Sequence, residues 1–326
     1  MERGRRGAGE FWGLFLVTIA AASLGMEGIA AKFAFAGGAS SLAVLALRFP
    51  LAALIFWASL AWFGGRWKIG LGTLGRLAAL AVGGHGMTVV LLFYAFQHIP
   101  ASLAILLFYI YPVLVTLLAA VFLREPLTRA KMEALVLASA GLVITLGLPA
   151  GRLHMGGAVA ACLAAVANSI FMVGQTELLR RVETRVFNAY LTLVLAVLFL
   201  PVALLSNQFR VPLNAEVVGA VLVLALVCTV VASETLCRGL VYIGASRAAI
   251  ILTLEPVVTA VLGYLLLNER LYPSQLLGGA LILAGVARQQ VAEYKAQGME
   301  SRREGAGEAG GQGRPDGIFG EKRLPK

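Results

Sequence analysis

Short polar punctuations divide this chain into apolar blocks of about 20 residues, and that spacing limits what it can fold into. A helix of about 20 residues crosses a hydrocarbon core ~30 Å thick. Within that core every backbone polar group must be satisfied internally, which leaves helices or closed barrels. The blocks here are continuously apolar and rich in Ala, Leu and Gly, whereas barrel strands alternate. Charged residues make up 13% of the 326 residues, against roughly 25% in a soluble domain. The sequence therefore predicts an all-α, polytopic membrane protein.

Ten spans are predicted, at about 11–35, 41–63, 75–97, 101–123, 130–148, 155–178, 186–206, 217–242, 245–267 and 274–291. The first run continues past Ala20-Ala21-Ala22, so it reads as a retained helix rather than a cleaved leader. With the N-terminus inside, the inner face collects Arg and Lys from Arg3 to Arg247, while the outer face keeps Lys32, Arg152, Arg210 and Arg270. That asymmetry predicts a multi-pass protein of the inner (plasma) membrane with both termini cytoplasmic. The formal charge of +10 is spread over short loops and the tail. It is read as a topology signal, and nucleic acid is not an expected partner. Residues 1–10 form a cytoplasmic lead-in, and 295–326 read as a disordered cytoplasmic tail.

The chain also repeats. Pro112, Glu125 and Gly141 recur 144 positions later as Pro256, Glu269 and Gly285, and Ile99 to Leu142 shows 13 identities in 44 ungapped positions at that offset. The same offset carries Gly13 onto Gly157, which divides the chain into halves at 11–150 and 151–294. Five spans per half place the second copy upside down relative to the first. Inverted repeats put a substrate site near the midplane and allow rocking between two access states.

At these residues the chain resembles the drug/metabolite transporter superfamily, in particular its EamA-type ten-helix exporters. Ala-Lys32-Phe-Ala-Phe and Leu-Arg48-Phe-Pro50 carry the likeness in the first two spans. Tyr111-Pro112-Val113, Leu-Arg-Glu125-Pro-Leu and Ala-Gly141 carry it in the first half, and Glu255-Pro256-Val257, Leu-Asn-Glu269-Arg-Leu and Ala-Gly285 in the second. The resemblance implies export of metabolites or drugs through a central cavity between the halves.

Ionisable groups in membrane helices are functional candidates. At 1.5 Å per residue, Glu255 and His85 lie ~14 and ~15 Å from the inner face, near the midplane. Glu27 lies ~24 Å from the inner face and Arg48 ~12 Å from the outer, within a turn of one level on neighbouring helices. That pair either holds the packing together or binds substrate, with Arg48 holding a carboxylate. Glu255, with no charged partner at its depth, is the candidate for proton coupling or for an amine, and its repeat mate is Tyr111. His85 lies in Gly83-Gly84-His85-Gly86, where glycines permit close helix approach or a local break. Asn168 and Gln175, seven apart, share a face of the sixth span. Glu125 and Glu269 read as turn or cap residues that help close the gates.

The substrate-binding set is thus Glu27, Arg48, His85, Tyr111, Asn168 and Glu255, with Glu255 as the coupling group. The first expectation is a secondary exporter of amino acids or similar zwitterions working by alternating access. The alternative is an exporter of organic cations or drugs, in which Arg48 is structural. There is no Gly-x4-Gly-Lys-[Ser/Thr] run, hence no ATP motor of that kind. No cofactor, metal or enzymatic activity is expected. The partners are a small-molecule substrate and the bilayer, with coupling protons and a homodimer left open.

Overall fold

A computed structural model describes residues 2–292, apart from 65–66, 100, 147–153, 207–208, 210, 213, 268–272, 275 and 290. The tail at 295–326, Glu269, Arg152, Arg210 and Arg270 lie outside the described residues. The described chain is helical throughout, with six long apolar spans and shorter apolar helices at Tyr111–Phe122, Glu255–Leu266 and Leu276–Gln289. Large apolar side chains such as Leu54, Val121, Val136 and Leu265 are exposed on the outside of the bundle, as a lipid-facing surface requires.

The predicted spans are recognisable, but several are not continuous helices. The first runs Glu2–Gly25, breaks at Met26 and resumes as Glu27–Ala36. It starts well before Phe11. The second is Ser41–Phe63, capped by the Ser40 hydroxyl on the Ala43 N–H. The third is Leu71–Leu80 and Met87–His98 joined by a π-helical turn at Ala81–Gly86. The fourth breaks between Ala101–Phe108 and Tyr111–Phe122. The fifth is Arg129–Leu146, the sixth Met155–Leu179 and the seventh Thr184–Leu205. The eighth begins Ala215–Ala225 and carries a second π turn, Leu226–Val231. It then runs to Gly244, whose φ of 78° ends it and starts the ninth. The ninth breaks in turn before Glu255–Leu267.

The π turns and the breaks in the fourth and ninth spans obey the repeat; the break at Met26 does not, since its mate Ile170 lies inside the continuous helix Met155–Leu179. The break before Tyr111 matches the break before Glu255, 144 positions on, and Pro at the second position of each resumed helix explains both. Close contacts obey it as well. A side chain on Gly13 would meet Tyr242 and Ile243; one on Gly157 would meet His98 and Ile99. Adding 144 to the first residue and subtracting it from its partners converts one contact into the other. The same operation relates Gly141, pressed on Gly278 and Ile282, to Gly285, pressed on Ala134 and Ala138. In that last pair later residues of the fifth span meet earlier residues of the tenth, so the two helices run antiparallel. Equivalent helices of the two repeats thus meet antiparallel.

Candidate functional site

The breaks and π turns gather at the level where the sequence placed its ionisable groups. Glu27 is the first residue after the break in the first span. Arg48, on the second span, is buried. Its Nη1–H donates to Glu27 Oε1 at 2.6 Å and its Nη2–H to Glu27 Oε2 at 3.1 Å, a two-pronged ion pair. Nε–H donates to the Thr229 hydroxyl at 2.5 Å, and Nη2–H also donates to the Cys228 carbonyl at 3.1 Å.

Thr229 and Cys228 owe their availability to the π turn. The wider turn lets the Thr229 hydroxyl donate to Leu224 O, five residues back, at 2.8 Å, and turns the Cys228 carbonyl toward Arg48. Four hydrogen bonds therefore engage a guanidinium with five N–H groups. The Glu27 side chain is 41% exposed, whereas that of Arg48 is 9% exposed.

Glu255 opens the resumed half of the ninth span, against the break in the first. A side chain on Gly25 would meet Val258 and the Glu255 carbonyl, and the Thr259 hydroxyl donates to Gly25 O at 2.9 Å. The repeat mate of the approach of Gly25 to the Glu255 carbonyl is that of Ser169 to Tyr111, where the Ser169 hydroxyl donates to Tyr111 O at 3.3 Å. Tyr109 and Tyr111 are buried with ring centroids 5.5 Å apart, and both lie within electrostatic reach of Glu255. Glu27 is the other charge near Glu255.

His85 occupies the π turn of the third span, and 144 positions on stands Thr229 in the π turn of the eighth. The two turns have diverged in chemistry. Where Thr229 holds Arg48, His85 packs between Phe49 and Phe171, with centroids at 6.1 and 5.1 Å. Arg48 corresponds to Thr192 and Glu27 to Phe171, so an ionic cluster is matched by an aromatic one, each drawing residues from both halves. Gly84 provides the close approach to Phe171 that its lack of a side chain permits.

Of the predicted residues, Glu27, Arg48, Tyr111 and Glu255 come together, and His85 joins through Phe49. Asn168 is half-buried beside Ser169 and makes none of the hydrogen bonds described above. Gln175 is buried. Thr229 was not anticipated.

An apolar cavity of about 330 Å³ lies beside the cluster, between Met26 and Phe33 of the first span, Ala215 to Val223 of the eighth, and Leu262 and Leu266 of the ninth. The opposite end of the bundle is tied across the halves. Glu125 accepts the Ala245 N–H at 2.8 Å and the Ser246 N–H at 3.2 Å, and Arg247 pairs with Glu10 at 3.7 Å. Glu125 is thus the cap that was expected, placed on the other half.

The EamA-like transporter family matches this chain over residues 11–147 and 155–288. The chain is 25% identical over 218 residues to Protein PecM of Dickeya dadantii (strain 3937), covering 66% of this chain and 73% of that protein. A solved crystal structure, 22% identical, superimposes with a TM-score of 0.77 over 87% of this chain and 98% of the other. At that identity the likeness concerns the fold.

Proposed function

The chain belongs to the EamA-like transporter family, and from that premise we propose that it exports small amine-bearing cations in exchange for protons, with Glu255 as the shared site. One observation carries this choice of substrate. Arg48 is buried and already makes four hydrogen bonds, so it has little left for a substrate carboxylate. Glu27 keeps an exposed edge, and Glu255 has no ion pair among the described residues. The charge left to attract a ligand is acidic.

A zwitterion would have to displace Thr229, the Cys228 carbonyl or Glu27 to reach the guanidinium, leaving buried polar groups unpaired. A cation needs no such rearrangement. Proton and amine compete for one carboxylate, which couples the two fluxes without further machinery. The freed backbone at the breaks in the first, fourth and ninth spans supports a midplane site, as such interruptions are tolerated where they line a cavity.

The expected orientation places the Glu125 end in the cytoplasm. The geometry then corresponds to a state closed inside, with the apolar cavity on the outer half. The test is transport by the purified protein in liposomes of an aromatic primary amine and of its α-carboxylated amino acid. Movement of the amine with exclusion of the zwitterion is expected; the reverse preference refutes the assignment.

A further inference from the structure

One stripe of the ninth span runs from the ionic cluster to the apolar cavity. Glu255, Thr259, Leu262 and Leu266 are spaced i, i+4, i+7 and i+11 along the helix Glu255–Leu267, so they share one face. The two leucines line the cavity, which begins ~10 Å further out along the helix than Glu255. Between them the Thr259 hydroxyl donates to Gly25 O at 2.9 Å. Gly25 precedes Met26, another residue of the cavity wall, so this contact lies at the inner end of the cavity.

The wall says what fits. A space of about 330 Å³ bounded almost entirely by apolar side chains suits the apolar body of a small molecule. Glu216, in the first turn of Ala215–Ala225, is the one ionisable residue of that wall among the described residues. It is exposed and has no ion pair among them. A bare acyl chain gains nothing from this carboxylate, and a phospholipid brings a phosphate that it repels. A cation with an apolar tail suits both the acid and the apolar wall.

We propose that the cavity is an outer-side site for an amphipathic cation, with the tail in the apolar space and the ammonium on Glu216. This rests on the cation reading above and adds a selection rule to it: amines with a tail that fills the cavity are favoured over short ones. Gly219 makes the rule testable. It lines the cavity, and a Cβ there would meet nothing within 4 Å, so Gly219→Leu occupies the space without a clash and favours the helix.

The experiment measures flux of ethylamine and hexylamine into liposomes carrying the full chain, above that into protein-free liposomes. Burial of each methylene should raise kcat/KM about fourfold in the wild type. Gly219→Leu should lower hexylamine transport about tenfold or more and leave ethylamine unchanged, which also shows that the variant is folded. Glu216→Gln should weaken both amines about threefold. If Gly219→Leu leaves hexylamine transport intact or weakens both amines alike, or if Glu216→Gln changes neither, the site is refuted while cation transport stands. If the wild-type protein moves neither amine but moves an α-amino acid, the cation reading fails and the site with it.

Discussion

Glu125 and Ala245 belong to opposite halves of the molecule, and the Glu125 Oε1 accepts the Ala245 N–H at 2.8 Å. The turn that delivers this carboxylate is specific. Arg124 adopts a left-handed φ of 57°, and the Leu123 and Glu125 N–H groups both bond back to Ala119 O, at 2.9 and 3.2 Å, which closes the end of the fourth span. Lys131 adds a contact at 3.5 Å. One carboxylate thus ends one helix and caps the first turn of another.

Removing that carboxylate should loosen the inner closure. Glu125→Ala is expected to lower stability by about 1–2 kcal/mol, the usual worth of an N-cap, and to raise the labelling rate of a cysteine placed at Ser246. Thermal unfolding in detergent and maleimide kinetics check the two effects.

Gly244 tests the same contact from the other side. Its φ is 78°, and a side chain there would meet Glu125 Oε1. Gly244→Ala therefore combines a left-handed backbone with a clash, and a loss of about 1–3 kcal/mol is expected. Arg124→Gly should instead be neutral or stabilising, because glycine adopts that φ without strain. The same thermal assay compares them.

The Arg48 cluster predicts an asymmetry between its partners. Arg48→Ala removes the countercharge of the partly exposed Glu27 and leaves the Thr229 hydroxyl and Cys228 carbonyl without their donor, and should cost about 2–3 kcal/mol. Thr229→Val removes one hydrogen bond and should cost about 1–2 kcal/mol. Detergent stability measured for each variant decides whether Arg48 is the structural member of the group.

Gly141 and Gly285 should respond alike. Each approaches the backbone of the facing helix too closely for a side chain, so Gly141→Leu and Gly285→Leu should both separate the fifth and tenth spans and reduce folded yield. Monodispersity on size exclusion is the measurement.

Much of this was legible because apolar length and a fixed offset survive in the letters. The 144-residue repeat predicted Gly13 with Gly157 and Gly141 with Gly285, and both pairs prove to be equivalent contacts. The meeting of Glu27 and Arg48 followed from depth on neighbouring helices. Thr229 was invisible because a threonine in an apolar run gives no sign that the helix widens into a π turn around it. The Glu125 cap was expected, but its target on the other half is a matter of tertiary packing.

The most direct measurement is amine flux in liposomes under an imposed pH gradient, comparing wild type with Glu255→Gln. The account predicts gradient-driven accumulation in the wild type that collapses when a proton ionophore is added, and its absence in the variant despite normal folding. Undiminished gradient-driven accumulation in Glu255→Gln would contradict it.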